Sequence, residues 1–202
     1  MDINKFYPDY YTRQIMRKRF NISENETIVI TTARLAKEKC LHRLINAFDL
    51  LSQKFKNNWL FIVGDGPLRE DLEGLARSKQ SKVRIKFLGF QEDVTDYLKM
   101  SDIYVLPSEN EGLAIALLEA MATGLIVVAT NTPGPSEIIC DGFNGFLVDN
   151  TEMGVVRGMR KAFLLTEEQR QNISKNAIDF IRNNFDMSKN IKEELEVFAL
   201  YE

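Results

Sequence analysis

Apolar residues in this chain follow two alternating rhythms. Nearly unbroken runs rich in β-branched side chains at 27–33 (TIVITTA), 59–63 (WLFIV), 102–106 (DIYVL) and 125–129 (LIVVA) predict strands buried on both faces. Residues 83–88 alternate and predict a further strand ending at Gly89, and 146–148 a last short one after Asn144-Gly145. Between them the apolar spacing becomes helical. Leu41, Leu44, Ile45, Phe48, Leu51 and Phe55 lie on one face of a helix over 41–55. Further helices are predicted over 68–76, with Pro67 suited to the first turn, over 93–100, and over 113–122, ending near Gly124. At 132–137 (TPGPSE) a turn enters a short helix, with Ser136 and Glu137 as helix-start residues. From about residue 151 the pattern is helical to the end, with a break near 183–186. Residues 1–24 begin no clear element and are assigned as an N-terminal linker or helix segment, and about 186–202 as a C-terminal helix.

Strand and helix thus alternate about six times, which predicts an α/β fold: a Rossmann-like open, mostly parallel sheet of about six strands with helices on both faces. Ligands of such sheets sit beyond the carboxyl ends of the strands. The loops after Ala33, Val63 and Leu106 therefore occupy the ligand end.

Composition narrows the partners. A chain of 202 residues is one domain by length. Lys and Arg number 26 against 29 Asp and Glu, and a net charge of −3 argues against a nucleic-acid partner. Cys40 and Cys140 form no Cys-x-x-Cys pair and His42 is the lone histidine, so no metal site is expected, and reduced thiols fit a cytoplasmic setting. No apolar run approaches the roughly 18 residues of a membrane span. Arg13, Arg17, Lys18 and Arg19 could touch anionic lipid at the inner face of the plasma membrane, a peripheral contact weighed against a plain solvated helix face.

The densest chemistry lies in 107–148. After the DIYVL strand, SENEG leads into an apolar helix whose N-terminal N–H groups make a ready anion site. Gly112 allows close backbone approach. Glu111 precedes the helix and Glu119 lies two turns inside it, and each carboxylate can accept hydrogen bonds from two neighbouring hydroxyls of a sugar ring. The bland alternative makes Glu111 a cap and Glu119 a surface charge, but a half-buried carboxylate in LLEAMA needs a partner. Arg34 and Lys39, on the first strand-to-helix loop, suit a diphosphate. Gly64-Asp65-Gly66-Pro67 turns at the same end, as a structural turn or as a ligand contact; neither G-x-G-x-x-G nor a P-loop is present. No Ser or Cys nucleophile is placed to use His42.

These segments together resemble the C-terminal, donor-binding domain of a retaining GT4-family glycosyltransferase of GT-B fold. The resemblance rests on Glu111–Glu119 as an E-x7-E element, on Ala33-Arg34-Leu35 through Lys39-Cys40, on Gly64–Pro67, and on Asp141–Val148. Ala33 and Cys40 stand where the family loop has glycines, and Leu113-Ala114 where it commonly has Phe-Gly. The resemblance implies a nucleoside diphosphate sugar as donor substrate, a UDP-sugar favoured, and no cofactor. Arg34 and Lys39 would hold the diphosphate and, with Glu111, form the catalytic set. Glu111 would hold the donor sugar, Glu119 the ribose, and Gly112, Leu113, Ala114, Gly64 and Gly66 would line the donor site. The acceptor would be a glycan or glycolipid, bound by an N-terminal domain not recognised in these residues, so that the isolated domain transfers sugar poorly or not at all. Alternatives are a non-catalytic nucleotide- or protein-binding module with a decayed site, and a nucleotide-sugar epimerase of related fold.

Overall fold

The computed structural model describes residues 5–185, and the C-terminal helix expected over about 186–202 lies outside them. Six strands, β1 (Thr27–Thr32), β2 (Asn58–Val63), β3 (Ile85–Gly89), β4 (Ile103–Leu106), β5 (Ile126–Thr130) and β6 (Phe146–Val148), pair in the order β3-β2-β1-β4-β5-β6, every pair parallel. The helices are α1 (Tyr10–Arg19), α2 (Leu41–Ser52), α3 (Arg69–Arg77), α4 (Thr95–Lys99), α5 (Ile115–Ala122), α6 (Pro133–Ile138), α7 (Glu152–Phe163) and α8 (Glu167–Asn184).

Pleating explains the unbroken apolar runs. Val29, Leu60, Ile62, Val105 and Val128 point into a core capped by Leu44 and Phe48 of α2, Leu72 of α3 and Met159 of α7. Their neighbours Ile30, Phe61, Val63, Tyr104 and Val127 point into a second core with Met16 of α1, Leu98 of α4, Leu117 of α5 and Ile181 of α8. A strand covered on both faces has no polar side to show.

Several expected boundaries move. Val83 and Arg84 belong to a 3-10 turn at Lys82–Arg84, so β3 starts only at Ile85. Pro67 precedes α3 by two residues instead of opening it. The short helix after β5 begins at Pro133, which places Ser136 and Glu137 in its later half. The C-terminal helical region has a break between Phe163 and Glu167, where Thr166 and Gln169 form a capping box, and α8 then ends at Asn184, within the range expected for a break.

The segment without a clear element holds α1, capped by Asp9. Its basic cluster is not a uniform outer face. Arg17 is buried and donates to Asp102 Oδ2 at 2.6 Å and to the carbonyls of Ser23, Glu26 and Met100. Arg13 donates to Asp102 Oδ1 at 2.8 Å. Lys18 and Arg19 remain exposed. Among the described residues no helix is long and apolar enough to cross a membrane.

Candidate functional site

The chain runs outward from β1 to β3 and then returns to place β4 on the other side of β1. At such a switch point the loops leaving the two strands diverge and open a crevice beyond their carboxyl ends. The loop after β1 carries Arg34 and Lys39, and the loop after β4 carries Glu111 and enters α5, which bears Glu119.

Lys39 and Glu111 meet across this crevice. Lys39 Nζ lies 2.7 Å from one carboxylate oxygen and 3.0 Å from the other. The side chains are 21% and 12% exposed, so the pair is partly withdrawn from water. The backbone beneath it is tied down. Glu109 N–H donates to Glu38 O at 2.8 Å, Gly134 N–H to Glu111 O at 3.0 Å, and the Asn150 side chain to Glu109 O at 2.8 Å. Arg43 in turn holds Asn150.

Glu119 stands apart from that pair, half-buried on α5, beside a cavity of about 450 Å³ also lined by Asp93, Val94, Thr95, Leu113 and Ile115. Its carboxylate meets no hydrogen-bond donor among the described residues; burial, and then the nearby Asp93 carboxylate, raise its pKa above the ordinary value. The partner its burial calls for is thus not supplied by the described residues. The sign of the pH effect follows. The folded chain keeps the Glu119 proton to higher pH than the unfolded chain, so ionisation destabilises the fold above the ordinary value of 4.5, and the penalty fades below it. Glu119→Gln is therefore expected to melt at a higher temperature than the parent at pH 7 and to lose that advantage below about pH 4 in calorimetric scans.

Arg34 is exposed and makes no ion pair among the described residues. It lines an adjoining cavity of about 430 Å³ with Gly64, Asp65, Phe90 and Gln91, and Val94 borders both cavities. Gly64 has φ +132°, and a Cβ there would sit 1.9 Å from Ala33 O, so the turn can pack on the β1 loop only without a side chain. Gly66 serves that packing and lines neither cavity: Leu35 N–H donates to Asp65 O at 2.9 Å, and Leu68 N–H to Leu35 O at 2.9 Å. Gly112 is exposed, and a Cβ there would meet nothing within 4 Å. Leu113 is 67% exposed at the cavity rim. Helix α5 begins only at Ile115, so Leu113 and Ala114 precede it. Their N–H groups donate to no backbone acceptor outside regular elements, and Ala114 at φ −82° needs no glycine. Cys40, by contrast, occupies the left-handed region at φ +48°.

The loop after β3 carries no recognisable motif, yet its Phe90, Gln91, Asp93 and Val94 line the two cavities. Its position at the carboxyl end of a strand was the available signal. Tyr104 lies beneath the crevice with its hydroxyl 3.2 Å from Thr32 O, and burial pushes its pKa far up, so it stays neutral. Among the described residues no group of three or more His, Cys, Asp or Glu is arranged to hold a metal ion.

The sequence profile described as "Glycosyl transferases group 1" matches residues 12–180, most of the chain. This chain belongs to that family. Among its glycosyltransferase relatives it is similar to the N-acetyl-alpha-D-glucosaminyl L-malate synthase of Bacillus anthracis, 30% identical over 186 residues, covering 91% of this chain and 49% of that protein. It is also similar to the UDP-Gal:alpha-D-GlcNAc-diphosphoundecaprenol alpha-1,3-galactosyltransferase of Escherichia coli, 29% identical over 98% of this chain and 52% of that one. The chain thus spans about half the length of these curated relatives. Its fold matches the crystal structure of the C-terminal domain of a glycosyl transferase group 1 family protein, LpcC from Francisella tularensis. The TM-score is 0.81 at 24% identity, over 93% of this chain and 99% of that domain.

Proposed function

We propose that this glycosyltransferase chain is the donor-binding half of a retaining enzyme that transfers a hexose-type sugar from a nucleoside diphosphate sugar to a glycan or lipid-linked acceptor. The observation that carries the reading is the meeting of Lys39 and Glu111 at the β1/β4 switch point, with Glu111 on the loop that enters the helix bearing Glu119, whose carboxylate meets no donor among the described residues. Arg34 and Lys39 supply the two cations a diphosphate leaving group needs. Hydroxyl groups of a ribose are suited to the half-buried carboxylate of Glu119, and those of the donor sugar to Glu111. UDP is the favoured nucleotide because the relative from Escherichia coli is named for a UDP-sugar donor. The relatives are about twice as long, so the acceptor is assigned to a second domain, and this chain alone is expected to bind donor with little transfer because the reactants are not held together.

Titration calorimetry with UDP, GDP and UDP-glucose tests this. At least one nucleotide is expected to bind, and Glu119→Ala to weaken it about tenfold or more, the loss of charge-assisted hydrogen bonds. If the folded parent binds none of them at millimolar concentration, a decayed binding module replaces this reading.

A further inference from the structure

Resting on the donor-site reading above, we propose that the Lys39–Glu111 ion pair is an exchangeable latch. It makes the site select an intact nucleoside diphosphate sugar over the free nucleoside diphosphate that transfer leaves behind.

Both carboxylate oxygens of Glu111 are engaged by Lys39, at 2.7 and 3.0 Å. Lys39 therefore cannot turn its ammonium fully to a phosphate without leaving Glu111. Opening the loops as a body would break backbone bonds on both sides, Glu109 N–H to Glu38 O and Gly134 N–H to Glu111 O, whereas moving the side chains breaks neither. The exchange is a side-chain movement.

Its consequences differ for the two ligands. A free nucleoside diphosphate takes Lys39 and leaves the 12%-exposed Glu111 carboxylate without a partner. A partly desolvated carboxylate stripped of its cation is penalised. A donor sugar offers hydroxyls that donate to Glu111 while its diphosphate occupies Lys39, so both partners of the broken pair are satisfied again. Selectivity arises from the penalty imposed on the wrong ligand as much as from contacts to the right one. Arg34, with no ion pair to break among the described residues, serves both ligands alike.

Calorimetry on the 202-residue chain decides this, with UDP, UDP-glucose, GDP and GDP-mannose as probes. Glu111→Gln is expected to bind the free diphosphate about fivefold or more tightly than the parent, the release of an ion pair worth about 1 kcal/mol. The sugar nucleotide should gain less, so the preference for it shrinks. Glu111→Asp, one methylene shorter, should shift in the same direction by a smaller factor. Arg34→Ala should weaken both ligands by a similar factor. Lys39→Met separates the latch from simple charge repulsion between Glu111 and phosphate. The tightening by Glu111→Gln should vanish in a Lys39→Met background, whereas repulsion alone would preserve it. Unchanged or weaker binding of the free diphosphate by Glu111→Gln, or equal tightening of both ligands, overturns the latch while leaving the donor site standing. A cooperatively folded parent that binds none of the four probes removes both.

Discussion

Replacing Asp102 with alanine is expected to lower the unfolding free energy by about 3–5 kcal/mol, the largest effect of any single change considered for this chain. The reason is the company Asp102 keeps. Arg17 is 1% exposed, and burial pulls its pKa down from the ordinary value, with Asp102 the largest influence opposing that. The same carboxylate accepts from Arg13 at 2.8 Å and from the Ile28 N–H at 2.7 Å, so it joins α1 to the starts of both β1 and β4. Removing it leaves a buried guanidinium with carbonyls and only the more exposed Glu24, 3.8 Å away, as counter-charge, together with an unpaired strand N–H. Urea unfolding of the parent and Asp102→Ala measures the difference. Arg17→Met combined with Asp102→Ala should lose less than Asp102→Ala alone, because the stranded cation is gone. A loss below about 1 kcal/mol for the single variant would place the pair in the class of surface ion pairs.

The second large effect joins stability to the site. A Cβ on Gly134 would lie 1.6 Å from Gly112 O and 2.6 Å from Gly112 C, both backbone atoms. Gly134→Ala must therefore push α6 away from the loop that carries Glu111, breaking the bond from Gly134 N–H to Glu111 O. The expected cost is about 2 kcal/mol or more of stability, together with a loss of nucleotide binding of about tenfold or more as Glu111 and Lys39 fall out of register. Gly112→Ala is the control, since its Cβ meets nothing within 4 Å: stability should stay within about 0.5 kcal/mol of the parent. Equal melting temperatures for Gly134→Ala and the parent would sink the steric argument.

Much of the fold was legible in the chain, for a local reason. A strand covered on both faces reads as an unbroken β-branched run, and a helix covered on one face reads with a period near 3.6, so β1, β2, β4 and β5 with α2 and α5 could be found from neighbouring residues alone. Misplaced boundaries fall where local signals compete. The alternation through Val83 continued into a 3-10 turn, and Thr166 capped a new helix inside what read as one continuous run. Helix α1 was legible only as a linker or helix segment, because one of its two buried side chains, Met16 and Arg17, is an arginine, which no apolar pattern reports.

The site divides in the same way. Their place after predicted strands made Arg34, Lys39, Glu111 and Glu119 candidates, and the family resemblance implied a role for each. The sequence by itself determined a parallel, doubly covered sheet and the side chains presented at its ligand end. Only the tertiary structure decided which of them meet. Lys39 finds Glu111 from 72 residues away, and Arg17 finds Asp102 from 85, because β4 returns to the side of β1 and not to the outer edge of β3. Periodicity is set by each residue's near neighbours along the chain, whereas strand order is set by how whole layers bury one another. That is why Arg34 and Lys39, five positions apart, ended in different surroundings: one exposed beside the Gly64 turn, the other locked on a carboxylate.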